Sequence, residues 1–482
     1  MTYQPASGTM RAAKAPRRPL AYRLHSLFGL KLSLLLAFVC LTGTIAAISH
    51  EIEWLLFPEV RATAAEQPVS WGTMWEAARQ HRPEGWLRSI GPYDRSDVDY
   101  FAKDAIMRLP DGREVTVLID PGTGAVTGEQ LGTPFHAFMR GLHYYLFTPG
   151  DWGFYLVTSL GFVLLASLVT GLIVYKRFWG GLFKRPRTER GSRTLLGDLH
   201  RLFALWALPF TALIALTSIW YFAERTGVAW ELEVPTTASP LRQQPSGAEV
   251  DDWVRTAVAA MPGIHVTGVS IPWSDGDPVV VQGEWRAWLV RERTNAAYLD
   301  PATGKLIGLR VAHRMGAGER IVHTADPLHF GNFAGLAGKL LWFVFGLMLT
   351  ALAISGAMIH GKRLWGADAG SLGGAWRRSL GSALIPSLLL TVAVPGWYFL
   401  NGWQTAGMTL MEPAGTIASD AGSIPLLRST EDSTTWCAKP ESRSSGAVFT
   451  LSDGAKVDAV FDAGLYCVEV PHGRSVVALV MT

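Results

Sequence analysis

Residues 326–362 read DPLHFGNFAGLAGKLLWFVFGLMLTALAISGAMIHGK, an apolar run with His329 at its entrance and His360 at its exit. From about Leu336 to Ile359 it carries no charge after Lys339, long enough at ~1.5 Å per residue to cross a hydrocarbon core of about 30 Å. This is a membrane span, and its two histidines lie near opposite faces of the bilayer. An imidazole there gains nothing from lipid without a partner.

Working outward, four more apolar runs appear. The expected fold is an integral membrane α-helical bundle of about five spans, with two α+β inserts on the outer side. The predicted organisation is a cytoplasmic N-terminus (1–26), a first span (27–50), a first insert (51–135) and a second span with its outer entry segment (136–175). A basic cytoplasmic loop (176–199), a third span (200–222), a second insert (223–327) and the fourth span (328–361) follow. A short loop (362–379), a fifth span (380–400) and an outer tail (401–482) complete the chain. Lys14, Arg17, Arg18 and Arg23 before the first span, and the loop KRFWGGLFKRPRTERGSR after the second, place both segments in the cytoplasm by the positive-inside rule. The basic start and long apolar run read as a retained signal-anchor. The first span is expected to run as one helix from His25 to His50, about 37 Å at 1.5 Å per residue. Pro209 is expected to kink the third.

Composition agrees. With 49% hydrophobic and 17% charged residues, the apolar content is bunched into these runs. A net charge of +3 does not call for a nucleic-acid partner. Of three cysteines, Cys40 lies in the first span as a small apolar filler, whereas Cys437 and Cys467 in the outer tail are disulfide candidates. The 19 tryptophans, among them Trp54, Trp152, Trp179, Trp220, Trp342 and Trp403, gather at span ends as an aromatic belt.

The two halves repeat one another. LIDPGTGAVTG in the first insert matches YLDPATGKLIG in the second, and each precedes a Leu-His pair, at His143 and at His329, that leads into a span. YRLHSLFGLKL at His25 likewise matches GDLHRLFALWA at His200. The unit is span, insert, span, used twice. It pairs His25 with His200 at the cytoplasmic ends of two spans and His143 with His329 at the outer ends of two others. Two facing imidazoles enclosed by apolar helices make a bis-histidine haem site, so the pattern predicts two haems and an electron path across the bilayer. His50 competes for the outer site and His360 for the inner one, while His136 and His323 are candidates to line an outer substrate site. His81, His265, His313 and His472 receive no role. DPGTG and DPATG are turn chemistry. With no Walker loop, dinucleotide fingerprint, H-E-x-x-H or C-x-x-C, the chain shows no site for NAD(P)H or flavin, so the electron donor is a separate molecule.

In order, the motifs LHSLFGLKLSLLLAFVCLTGTIAAISHEIEWLLFPE, LHYYLFTPGDWGFYLVTSLGFVLLASLVTGLIVYKR, DLHRLFALWALPFTALIALTSIWY and LHFGNFAGLAGKLLWFVFGLMLTALAISG resemble the PepSY-associated transmembrane family over about Leu24 to Arg363. That resemblance implies PepSY-like outer domains and two b-type haems between the helices. It also implies an inner-membrane oxidoreductase that passes electrons outward to a ferric siderophore in the periplasm and releases its iron. Carried to matching positions, the candidate ligands are His25, His143, His200 and His329, with His50 in the motif closing the first span. The implied partners are the ferric chelate, membrane lipid, and a cytoplasmic flavin reductase or membrane quinol as donor. The alternative is a haem-free scaffold whose outer domains bind or regulate a periplasmic protein. A permease is disfavoured, since the first four spans carry almost no internal charge to mark an ion path.

Overall fold

The computed structural model describes residues 19–481, except 92–99, 132, 149, 176–178, 229–232, 366–373, 375–376, 378–379, 402–410, 420–421, 430–433, 439–445, 463–464 and 472. Lys14, Arg17, Arg18, Arg378, Trp403 and His472 lie outside the described residues. The chain divides into two compact units. One comprises 1–38, 160–216 and 348–388; the other comprises 39–159, 217–347 and 389–482.

The apolar runs form helices. The first is broken three ways, into α1 (Leu20–Lys31), α2 (Ser33–Ala47) and α3 (Ser49–Leu56), with a 56° bend between α2 and α3. The single rod expected from His25 to His50 is therefore corrected. Ser33 donates its hydroxyl to the Leu30 carbonyl and Ser49 to the Ala46 carbonyl, side-chain bonds that compete with the helical ladder at both breaks.

The first insert begins with α4 (Trp71–His81), whose start is capped by the Ser70 hydroxyl accepting from the Thr73 N–H. Strands β1 (Trp86–Ile90), β2 (Lys103–Arg108), β3 (Glu114–Ile119) and β4 (Val126–Leu131) follow. Then come α5 (Phe135–Tyr145) and the long α6 (Trp152–Val174). The next apolar run splits into α7 (Ser192–Trp206) and α8 (Leu208–Ala223), bent by 66° just before Pro209 as its missing N–H and ring sterics demand. Asp198 near the start of α7 is buried and accepts two hydrogen bonds from the Arg187 guanidinium, at 2.9 and 3.0 Å, folding the basic loop back on the helix.

The second insert repeats the order of the first: α9 (Gly247–Ala260), opened by a Ser246/Glu249 capping box, then β5 (His265–Ser270), β6 (Val279–Glu284), β7 (Asn295–Leu299) and β8 (Leu306–Arg310). α10 (Ala317–Phe330) leads into α11 (Gly335–Trp365). Lys339, the one charge entering that run, is buried and bonded to Glu51 of α3 at 2.8 Å.

Among the described residues two helices, α6 and α11, are by length and composition able to cross a membrane, or up to four segments if each bent pair is one span. The fifth crossing expected over 380–400 is shorter. Gly381–Trp397 is apolar and helical, shorter than α6 and α11. Pro386 and Pro395 lie in this stretch, which breaks into Leu384–Leu388, a π-turn Leu389–Ala393 and Val394–Asn401.

The inserts are not two separate domains. β1 pairs antiparallel with β5 (Ser89 with Ser270, Ile90 with Val269), giving one eight-stranded sheet of order β4-β3-β2-β1-β5-β6-β7-β8. α4 and α9 cover it and share one core around Trp75, Trp253, Ile90, Val269 and Val281. The two helices meet at Gly72 and Gly247, where a Cβ on either would strike the other's carbonyl. Asp251 of α9 accepts from the Gly72 N–H at 2.7 Å and from the Ser70 hydroxyl at 2.8 Å. Periodicity within each insert could not reveal this, because an edge strand reads the same whether or not a partner covers it.

The DPGTG and DPATG segments are turns, as expected. Asp120 is buried and accepts from the backbone N–H groups of Thr63 and Gly122 and from the Thr123 hydroxyl, all within 2.9–3.0 Å; Asp300 repeats the pattern with Ala302 and Thr303. Burial alone raises the Asp120 pKa, but these donors more than offset it and hold the carboxyl below the ordinary carboxylate range. Its stabilising bonds are therefore complete above about pH 4 and are lost as pH falls through the lowered value. Asp120→Ala is expected to cost about 1–3 kcal/mol at pH 7. The gap in thermal midpoint from wild type should narrow at pH 3, and an equal gap at both pH values would refute the assignment.

The tail, read only as an addition to the spans, forms a second eight-stranded sheet. Its strands are β9 (Met411–Ser419), β10 (Gly422–Ser429), β11 (Thr435–Ala438), β12 (Ala447–Leu451), β13 (Lys456–Asp458), β14 (Val460–Asp462), β15 (Leu465–Glu469) and β16 (Val476–Met481). Neighbours run antiparallel apart from β16 beside β9. Phe449, Leu426, Tyr466 and Leu479 form its core, with Trp86 of β1 packed against it. Cys437 and Cys467 stand opposite one another on β11 and β15 and are disulfide-bonded.

Candidate functional site: two histidine pairs

In one compact unit α1 carries His25 and α7 carries His200, their ring centroids 6.4 Å apart at 79°. His25 Nδ1 is 3.0 Å from the Ser167 carbonyl oxygen and 3.4 Å from Thr170 Oγ1, both on α6. A carbonyl can only accept, so Nδ1 carries the proton and Nε2 keeps a lone pair. His200 Nδ1 lies 2.8 Å from Ser355 Oγ on α11; Ser355 donates to the Leu352 carbonyl, which leaves its oxygen to accept from the imidazole. Both rings face a largely apolar cavity of about 260 Å³ whose walls include Leu164, Leu168, Leu349, Ile359 and His360. Gly171 and Gly356 flank the rings: a Cβ there would lie 3.3 and 3.5 Å from the Cε1 atoms of His25 and His200.

The other unit holds His143 of α5 and His329 of α10, again with centroids 6.4 Å apart, at 40°. His143 Nδ1 is 3.1 Å from the Val39 carbonyl and 3.4 Å from Thr42 Oγ1 on α2. His329 Nδ1 is 2.7 Å from Thr217 Oγ1 on α8. Gly43 leaves no room for a side chain, since a Cβ would come within 2.6 Å of His143 Cε1. Beyond His329, Tyr221 packs its ring 5.3 Å away and donates its hydroxyl to Asp326 at 2.8 Å. Asp326 in turn accepts from Arg291 Nε at 2.5 Å.

A metal held between two imidazoles in trans, with bonds of about 2 Å and each ligating nitrogen about 1.1 Å from its own ring centre, puts the centroids about 6.2 Å apart. Both pairs have that separation. In each ring Nδ1 is hydrogen-bonded, the usual support for a histidine that ligates through its other nitrogen.

Of the other histidines, His360 lines the cavity beside His25 and His200, and the rest lie elsewhere. His50 stacks on His136, centroids 4.3 Å apart, with Glu53 between their nitrogens. His323 is buried, and burial with Arg310, Arg291 and Arg293 nearby pushes its pKa down to about 3, so the ring is neutral at physiological pH. His81 bonds Glu129 at 3.3 Å, His313 packs on Trp285, and His265 lies on β5. The supporting hydroxyls were not singled out from the sequence, yet they were findable. Thr42 follows His25, and Thr217 follows His200, by the same 17 positions (42 − 25 and 217 − 200).

Apolar helices joined to paired α+β inserts, with part-buried histidines facing each other, define a membrane-associated protein. The chain belongs to the PepSY-associated TM region family, whose model matches residues 22–363. It is also similar to Uncharacterized protein PA4219 of Pseudomonas aeruginosa, 28% identical over 310 residues, covering 56% of this chain and 78% of that protein.

Proposed function

We propose that this protein is an inner-membrane dihaem reductase that delivers electrons to a ferric chelate, of the siderophore class, in the periplasm. The observation that carries the reading is the pair of facing imidazoles found twice at the same 6.4 Å separation, with Nδ1 tied to a hydroxyl or carbonyl. His25 with His200, and His143 with His329, would each hold one b-type haem, which when bound supplies a one-electron redox centre. The repeated placement is what a duplicated span–insert–span unit would produce. Thr42, Thr217, Thr170 and Ser355 orient the rings, and leucines line the cavity beside His25 and His200. The basic segments before the first and after the second span favour a cytoplasmic N-terminus. The Cys437–Cys467 disulfide favours an oxidising compartment for the C-terminal sheet. A cytoplasmic flavin reductase or membrane quinol supplies the electrons. Fe³⁺ in the chelate takes one electron and becomes Fe²⁺, which hard oxygen donors hold less well, and the iron is released.

An absorption spectrum of the purified protein before and after dithionite tests this. Low-spin bis-histidine bands from about two haems per chain are expected. A colourless protein would leave the haem-free scaffold, with outer domains binding a periplasmic protein, as the reading.

A further inference from the structure

Glu53 of α3 is fully buried and lies against the N-terminus of α5, where its carboxylate accepts the His136 backbone N–H at 2.9 Å. Its two oxygens also lie 3.0 and 2.9 Å from His136 Nδ1. One turn back on α3, His50 is buried too and directs Nδ1 to 3.8 Å from the same carboxylate. One ligand atom from each residue lies within 4.8 Å of the others. Capping α5 requires the carboxylate and nothing more; it gives no reason for two imidazoles to converge on it.

We propose that His50, Glu53 and His136 form a binding site for a divalent first-row transition-metal cation. Two imidazoles bound cis to one metal, with bonds of about 2.1 Å and nitrogens about 1.1 Å from the ring centres, have centroids roughly 4.5 Å apart. The His50–His136 separation is 4.3 Å. It suits cis ligation as the 6.4 Å of the facing pairs suits trans, so this cluster is a different kind of site from the two above. Two neutral nitrogens and one carboxylate match Fe²⁺, Mn²⁺, Co²⁺ or Zn²⁺ and suit neither Ca²⁺ nor Mg²⁺, which take oxygen ligands. Three protein ligands leave coordination positions open, as in a site that exchanges its metal. Naming the physiological ion as the Fe²⁺ freed from a chelate rests on the reductase reading; the site itself does not.

The test equilibrates the full-length protein with Zn²⁺, desalts it, and measures zinc and haem in the same samples. Wild type should retain about one more Zn²⁺ per chain than Glu53→Gln or His136→Gln. Zn²⁺ should raise the thermal midpoint of wild type and leave both variants unmoved. Haem content should be the same in all three. Equal zinc retention in wild type and variants overturns the site, whatever the haem content. A zinc difference without haem in any sample supports the site and removes the reductase reading. If Glu53→Gln elutes as aggregate, His136→Gln carries the comparison.

Discussion

Replacing His200 with alanine should remove one haem from each chain, replacing His329 should remove the other, and the double variant should be colourless. The expectation follows from the geometry of the pairs. In each, one imidazole comes from a helix of the first half and one from a helix of the second, and their separation leaves room for a single metal between two nitrogens. Deleting either ring would leave a haem at that site with only one protein ligand of the assigned pair. The measurements are haem per chain by pyridine haemochrome and the low-spin spectrum of each single variant, which should report the surviving site alone. Ferric-chelate reduction should fall to background in both, because in the proposed reading the two haems would act in series. Ser355→Ala and Thr217→Val should keep the haem and shift the midpoint potential of one site each, since these hydroxyls polarise the ring without touching the metal. Unchanged haem content in both alanine variants would sink the ligand assignment.

Removing the Cys437–Cys467 bond should be the most costly change in the C-terminal sheet. It closes a loop of 30 residues between strands that are neighbours in space and distant in sequence. In the chain-entropy account such a link is worth about 3–4 kcal/mol. Here it sits in a small buried cluster with Leu427 and Leu465, so serines would also place hydroxyls among apolar side chains. The C437S/C467S double variant should be cut by trypsin within 411–481 under conditions that wild type survives, while its haem content stays that of wild type. Denatured, unreduced wild type should show one free thiol, that of Cys40. Three free thiols would place the sheet in a reducing compartment and reverse the proposed orientation.

How much of this was legible beforehand varied with the range of the interaction responsible. Spans and turns depend on neighbours a few residues away, and Asp120 and Asp300 opening their bends read directly from the chain. The histidine pairs were legible for a different reason. A repeated motif links positions 175 residues apart (200 − 25) without any structure. The hinge at Ile48 and the π-turn at 389–393 were not foreseen, because hydropathy reports how apolar a segment is and says nothing about whether its hydrogen-bond ladder is continuous.

The amino-acid sequence by itself determined that this chain is a membrane-associated protein with two inserts between its apolar runs, and which four histidines stand in matching motifs. Both follow from composition and from likeness between segments, properties that survive in an unfolded chain. Only the tertiary structure decided that the inserts merge through β1 and β5 into one sheet, that the tail is a second sheet closed by a disulfide, and that Glu53 draws His50 and His136 together. Each of those depends on long-range pairing. An edge strand's open hydrogen bonds and a buried carboxylate's need for donors are local facts, but the partner that satisfies them is chosen by packing.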